Sequence, residues 1–313
     1  MIMESQLHTV LGARGASGRA VLNELHARNL PTRAVTKSSS IPNVETTHAD
    51  LLSASSTLEA VRGSSHVYLC IGLPYDIKVW SAEWEIIMSN VIEACATIRA
   101  VVIFLDNIYM YAPPLPLNFS EETPQNPSSK KGAIRKRTAT LLTSAIESGK
   151  VQGVIGRSAD FYGPGTTNSM LYVSFLQNML AGKRPIALSN TSIPHTWANV
   201  NDNARALVDI AIHEDCHGEV WHLPVGEPIT YRQVLDVFNR QLGTHYSLSQ
   251  VPKFALSLLS FFSTPIREVA EMRYQFDQPY VMSWEKFHKR FPAFQTTSTE
   301  RGISEMIASF QSL

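Results

Sequence analysis

Apolar and polar positions along the first half of the chain switch repeatedly between two periods. Residues 7–11 are an apolar-rich run that reads as a strand, and residues 19–27 place Val21, Leu22 and Leu25 at helical spacing. A glycine-rich turn lies between them. Further strands are predicted at 33–35, 46–49 and 66–71, with a helix at 57–61 between the last two. Residues 84–97 carry Ile87, Val91 and Ala94 on one stripe, and residues 100–105 are almost wholly apolar, as suits a central strand buried on both faces. After a loop at 113–129 rich in proline, serine and acidic residues, the pattern predicts a helix at 132–147, closed by Gly149, and a sixth strand at 151–156. Strands alternating with helices imply right-handed crossovers and a parallel sheet.

Beyond Asp160 the alternation weakens and helical patterns take over, at 170–181, 203–213, 231–242 and 253–262. The expected fold is α/β: a doubly wound, parallel-sheet Rossmann domain over residues 1–165, with part of 199–223 returning to it. Residues 166–198 and 224–313 would form a smaller, mostly helical substrate-binding region.

Composition narrows the class. The 313 residues, 44% of them hydrophobic, suffice for one large core or two moderate ones. With 27 basic and 27 acidic residues there is no global field to hold nucleic acid or an anionic membrane, and neither partner is expected. Residues 1–10 lack a basic segment followed by an apolar stretch, so no secretory signal is expected; the longest apolar stretch, 254–262, is broken by serines and too short to span a bilayer. Cys70, Cys95 and Cys216 have neither metal-ligand nor redox spacing and read as buried thiols, which fits a reducing, cytoplasmic setting without a metal.

The first turn carries candidate chemistry. Gly12-Ala13-Arg14-Gly15-Ala16-Ser17-Gly18 follows a strand and opens a helix, so its backbone amides and the positive helix end can face a pyrophosphate. Sites selective for NAD(H) place a carboxylate at the end of the second strand to receive the ribose hydroxyls. Here that place reads Val35-Thr36-Lys37-Ser38, while Lys37, Arg14 and Arg33 offer cations for a 2′-phosphate. NADP(H) is therefore expected in preference to NAD(H).

Further segments extend the pattern. Asp50-Leu51 follows the third strand, and Ile71-Gly72-Leu73-Pro74 the fourth; Asn90 lies in the helix beyond. Arg157-Ser158-Ala159-Asp160-Phe161-Tyr162-Gly163-Pro164 and Ala198-Asn199-Val200-Asn201-Asp202 follow later. Together these resemble the extended short-chain dehydrogenase/reductase family, in its NAD-dependent epimerase/dehydratase group, over most of the chain. The resemblance implies that Asp50 and Leu51 contact the adenine and that Gly72 and Leu73 line the cofactor, with Pro74 on the substrate side. A homodimer through the helices at 84–97 and 132–147, and a small-molecule substrate, are likewise implied by it.

Members of that family transfer a hydride to or from a carbonyl carbon and need a proton for the oxygen, supplied by a Tyr with a Lys four residues later and assisted by a Ser or Thr. Laid on this chain, the pattern puts Lys131 at the Tyr, Arg135 at the Lys and Asn107 at the hydroxyl residue. All three are replaced. Two repairs are open: Lys131 itself exchanges the proton, tuned by partial burial beside Arg135 and assisted by a hydrogen bond from Asn107, or Tyr109 serves as a phenol near cations. Arg157 would hold a substrate anion or pair with a carboxylate, and His195 would contact a polar ligand or pack internally. Ser158, Asp160 and His195 lack the nucleophile elbow of a hydrolase. The expected function is an NADP(H)-dependent oxidoreductase for a small carbonyl or hydroxyl compound; a non-catalytic dinucleotide sensor, and a lyase or isomerase with bound cofactor, are the alternatives.

Overall fold

The computed structural model describes residues 6–187, 190–250, 271–272 and 274–311. The chain alternates as its periodicity predicts: β1 (His8–Leu11), α1 (Ala16–Ala27), β2 (Thr32–Thr36), β3 (Glu45–His48), α2 (Ala54–Val61), β4 (His66–Leu69), α3 (Ile77–Ile98), β5 (Val101–Asp106), α4 (Lys130–Glu147) and β6 (Gln152–Arg157). A later strand, β10 (Val220–His222), joins the edge beside β6. The seven form one parallel sheet in the order β3-β2-β1-β4-β5-β6-β10. Chain order reverses between β1 and β4, and the carboxyl ends of those two strands open the crevice in which such sheets bind ligands.

Strand alternation sends neighbouring residues to opposite layers. Val102 and Phe104 of β5 pack into the layer of α2, α3 and α4, whereas Val101 and Ile103 face the layer of α1 and of α6 (Val200–Ile212). Helix boundaries that hydrophobic spacing leaves blurred are set by caps. The Asp76 side chain accepts from Lys78 N at 2.7 Å and starts α3 earlier than the stripe at 84–97 indicates; Ser129 accepts from Gly132 N at 2.9 Å at the start of α4.

The remaining elements build the carboxyl-terminal part: β7 (Phe161–Tyr162) beside β9 (Ala198–Asn199), β8 (Ile186–Ala187) beside β11 (Ser249–Gln250), α5 (Gln177–Leu180), α7 (Tyr231–Leu242), α8 (Tyr274–Asp277), α9 (Glu285–Arg290) and α10 (Thr299–Gln311). The helix expected at 170–181 is instead a π-helical turn, Leu171–Leu176, running into α5. Its wider period puts Leu171, Phe175 and Leu176 on one buried face against α7 and α10. The helix expected at 253–262 lies outside the described residues, and α9 and α10 were not anticipated. No helix among the described residues is long and apolar enough to cross a membrane.

One consequence of the strand register is a buried histidine pair. His8 stands opposite His66, their rings stacked with centroids 4.4 Å apart, and His8 Nδ1 bonds the Tyr68 hydroxyl at 3.0 Å. Burial, followed by the charge of the neighbouring histidine, lowers His8 to about 3; burial and then His217 lower His66 to about 4; burial lowers His222 to about 3. An unfolded chain takes up these protons near pH 6.5 and the folded chain does not, so this contribution is complete above about pH 6.5 and is lost as pH falls toward about 3. The denaturant midpoint is expected to decline steadily over that window. His66→Phe, which keeps a ring against His8 but cannot titrate, is expected to make the decline shallower; an unchanged slope would remove the pair from the acid response.

Candidate functional site

The loops that leave β1, β4, β5 and β6 converge at one edge of the sheet. At the first, the chain turns at Gly12, whose φ of +81° disfavours any side chain, and a Cβ there would lie 2.8 Å from Ile71 Cα. Gly12 N and Ala13 N both donate to Val35 O at 3.2 Å, which seats the turn on β2. A Cβ on Gly18 would collide with the Gly12 carbonyl oxygen and lie 2.8 Å from Ala13 Cα, so the helix packs directly on the turn. Gly15 caps α1 without any side-chain bond, and the first turn, which includes Ala16 and Ser17, holds no acid. By contrast, α2, α3, α4, α6 and α7 are capped by Ser53, Asp76, Ser129, Asn199 and Thr230. The positive end of α1 is thus left for an anion, and a dinucleotide pyrophosphate fits it.

Beside this turn, a cavity of about 440 Å³ is lined by Arg14, Arg19, Asn23, His26, Ser40 and Asn43 among others, with no carboxylate in its wall. Arg14 and Arg19 make no ion pair among the described residues. Lys37 is exposed just past the end of β2. Arg33 does not join them: its Nε bonds Glu45 at 2.6 Å and its Nη1 bonds Arg62 O at 2.8 Å. It sits near the start of β2, a strand's length from the turn, which corrects its expected place at a 2′-phosphate. Asp50 accepts from Leu52 N at 3.1 Å, and Leu51 O accepts from Asn90 Nδ2 at 2.8 Å, tying the loop after β3 to α3. In the loop after β4, a Cβ on Gly72 would meet nothing within 4 Å, and Leu73 packs against the core. Pro74 O accepts from Trp80 Nε1 at 2.9 Å.

At the end of β5 the fully buried Asp106 organises two cations. Arg135 Nε donates to its Oδ1 at 2.9 Å and Arg135 Nη2 donates to the same oxygen, while the guanidinium lies 4.1 Å from the Trp84 ring centre and 4.9 Å from that of Phe104. Arg157 Nε stands 3.6 Å from the other carboxylate oxygen, and its Nη1 donates to the Tyr111 hydroxyl at 2.8 Å. That hydroxyl donates in turn to His222 Nε2 at 2.6 Å, and His222 Nδ1 donates to Ser283 O at 2.8 Å. Burial pushes the Tyr111 phenol up to about 12, against the pull of Arg157. Arg135 is spent on this internal network, whereas Arg157 Nε is buried without a hydrogen-bond partner and shares the one carboxylate with it. Of the two fates read for Arg157, a substrate anion or a carboxylate, the structure shows the carboxylate, while the expected place of Arg135 beside Lys131 is corrected because the buried Asp106 claims it.

Lys131 lies in the first turn of α4 with its side chain wholly buried. Its Nζ is 3.0 Å from Glu271 Oε2 and 4.6 Å from the centre of the Tyr75 ring. Glu271 Oε1 also accepts from the backbone amides of Lys130 and Lys131, so one carboxylate serves both the ammonium and the positive end of the helix. The neighbour of Lys131 is an anion from a segment 140 residues away, in place of the cation expected. Among the described residues Tyr109 is not paired with a cation either. It shares a side-chain hydrogen bond with Tyr75, stacks on Trp80, and has its phenol held well above the ordinary range by burial and by the Tyr75 and Asp160 charges. Asn107 Oδ1 accepts from Tyr109 N at 3.1 Å, which fixes the loop and leaves the amide Nδ2 as its uncommitted donor among the described residues. His195 Nε2 bonds Asp160 Oδ2 at 2.9 Å, and its ring lies against Trp197, Phe276 and Tyr280.

Contacts thus run from Lys131 to Tyr75, from Tyr75 to Tyr109 and from Tyr109 to Asn107, and join Asp160 to His195; the sequence reading did not single out Tyr75, Asp106 or Glu271. Tyr75 adjoins the selected Pro74 and was within reach. Nothing in local sequence joins Glu271 to Lys131.

A parallel doubly wound sheet with an uncapped glycine turn at its switch point defines a dinucleotide-binding class of fold. Within that class, the chain belongs to the NAD dependent epimerase/dehydratase family, whose model matches residues 8–223. It is similar in fold to the UDP-glucuronic acid 4-epimerase of Bacillus cereus in complex with NAD, at 14% identity and a TM-score of 0.81 over 98% of this chain and 99% of that one. It is also similar in fold to the UDP-glucose 4-epimerase of Thermus thermophilus in complex with NAD, at 18% identity and a TM-score of 0.77 over 98% and 99%. An uncharacterized protein of Sinorhizobium fredii is 24% identical over 155 residues, 49% of this chain; the chain thus spans 43% of that relative.

Proposed function

We propose that the protein is an NADP(H)-dependent oxidoreductase of the epimerase/dehydratase type, acting on a small carbonyl or hydroxyl compound, with Lys131 exchanging the proton. The observation that carries this reading is the wholly buried Lys131 ammonium, held by Glu271 over the Tyr75 ring. When bound, the nicotinamide supplies the hydride acceptor or donor. The turn from Gly12 to Gly18 and the open end of α1 bind the pyrophosphate, and Gly72 leaves room beside it. Lys131 gives a proton to the substrate oxygen or takes one from it, Glu271 fixes the direction of the ammonium, and Asn107 Nδ2 donates a hydrogen bond to the same oxygen. Tyr109, linked to Tyr75, borders this oxygen; burial makes it a reluctant acid and suits it to hydrogen bonding.

The cofactor preference rests on Arg14 and Arg19, which line an acid-free cavity where a 2′-phosphate would lie, and on Lys37, exposed just past the end of β2. Arg14→Ala is expected to weaken NADPH about tenfold while changing NADH less than about threefold, because one charge-assisted contact to the phosphate is lost. Nicotinamide fluorescence titration reads both. Equal weakening of the two cofactors would place Arg14 elsewhere than at the 2′-phosphate.

One observation favours a second reading, dinucleotide binding without hydride chemistry: Arg135 is turned onto Asp106, so nothing cationic stands four residues beyond Lys131 to face the cofactor. A panel of carbonyl and alcohol substrates with NADP(H), followed by nicotinamide absorbance, separates the two. Tight NADPH binding with no turnover on any substrate would favour the second.

A further inference from the structure

Resting on the reading that Lys131 exchanges the proton, a further step concerns how a substrate oxygen reaches it. The Lys131 side chain is wholly buried, yet proton exchange brings its Nζ within about 3 Å of that oxygen. The ammonium is therefore closed off, and a neighbour has to move. Glu271 Oε2 stands 3.0 Å from Nζ, and the centre of the Tyr75 ring 4.6 Å from it. Glu271 also accepts from the backbone amides of Lys130 and Lys131, so its departure would break an ion pair to a buried cation and two bonds at the start of α4 together. Tyr75 is held more lightly. It is 41% exposed, and its ring meets the ammonium, the Trp80 ring edge-on at 5.6 Å between centres and, through the hydroxyl, Tyr109. The backbone around it is pinned: Pro74 O accepts from Asp76 N at 2.7 Å and from Trp80 Nε1 at 2.9 Å, and the Asp76 side chain caps α3. Rotation about the Tyr75 side-chain bonds thus uncovers Nζ without breaking a backbone bond. Tyr75 also belongs to the loop leaving β4, one of the two strands whose carboxyl ends open the crevice.

We infer that Tyr75 is the gate of the site: its ring covers the Lys131 ammonium and rotates away to admit the substrate oxygen. The cation–π attraction that closes the gate is replaced, on opening, by a hydrogen bond from Nζ to that oxygen, so the ammonium faces electron density in both positions. Exposed side chains change rotamer far faster than enzymes turn over, so the gate controls access to Lys131 without setting the rate.

Amine labelling reads the gate and needs neither substrate nor turnover. The full chain is reductively methylated with formaldehyde and a borohydride reagent, and peptide mass spectrometry follows the rates at Lys131 and at the exposed Lys37. In the parent, Lys131 is expected to react at least about tenfold more slowly than Lys37, the factor a desolvated cation–π contact supports. Tyr75→Ala is expected to speed Lys131 at least about tenfold with Lys37 unchanged, whereas Tyr75→Phe, which keeps the ring and loses only the hydroxyl, stays below that gain. A gain of less than about tenfold in Tyr75→Ala would overturn the gate, and so would Tyr75→Phe reacting as fast as Tyr75→Ala. Parental Lys131 reacting within about tenfold of Lys37 also overturns it, a measurement that stands even if the variants fail to fold. The proton-exchange reading fails separately: undiminished turnover of Lys131→Ala defeats that reading, while the labelling rates still decide whether Tyr75 covers the amine.

Discussion

Lys131→Ala is expected to lower kcat by about 10²- to 10⁴-fold, the range for removal of a positioned acid or base, while NADPH affinity changes less than about threefold. The two effects separate because Lys131 lies on α4 with its ammonium against Glu271 and Tyr75, away from the turn at Gly12 to Gly18 that binds the pyrophosphate in the proposed reading. The fold should survive. Glu271 keeps its bonds from the amides of Lys130 and Lys131 when the ammonium is gone, and its side chain is 23% exposed, so the stability cost is about 1–3 kcal/mol. Lys131→Arg keeps the charge, but its planar guanidinium does not surrender a proton, and it is expected to restore stability without restoring turnover. Turnover of Lys131→Ala at the parental rate would remove Lys131 from the mechanism. Glu271→Gln should give a milder loss with a displaced pH–rate profile, since it perturbs the ammonium without deleting it.

The largest effect on stability is expected at Asp106. Asp106→Ala leaves Arg135 and Arg157, 3% and 1% exposed, without the carboxylate that both face. Breaking a buried ion pair by removing one partner costs about 3–5 kcal/mol, because the remaining charge stays desolvated and unpaired. Here two cations lose one anion, and Asn107 N loses its acceptor at 2.8 Å as well. Equilibrium denaturation should show the loss, and Asp106→Asn should recover part of it through the amide oxygen. A loss below about 1 kcal/mol would mean that the arginines find other partners or water.

Much of the architecture was legible in the sequence because it depends on local periodicity. The apolar run at 100–105 suits a central strand covered on both faces, and Val101–Asp106 is one. The stripe of Ile87, Val91 and Ala94 faces the core. Errors fell where short polar signals outweighed that stripe: Asp76 caps α3 well before the stripe begins, and the π-helical turn at Leu171–Leu176 interrupts a pattern that otherwise reads as regular helix. The glycine turn was legible for a steric reason that sequence encodes directly, since Gly12 and Gly18 stand where a Cβ has no room.

The partners of charged side chains were a different matter. A linear reading offered Arg33 for a 2′-phosphate, Arg135 for tuning Lys131, and Arg157 for a substrate anion or a carboxylate, and each meets a protein acceptor: Glu45, Asp106, and Asp106 with Tyr111. Lys131 meets Glu271 across 140 positions, and His195 meets Asp160 across 35. Sequence by itself determined the strand and helix order as far as β6, the glycine turn at the switch point and the absence of a carboxylate after β2, because these follow from backbone sterics and near-neighbour spacing. Only the tertiary structure decided which ionic groups remain for a ligand: burial makes an unpaired charge too costly to keep, and the partner that relieves it is whichever residue the fold brings within about 3 Å.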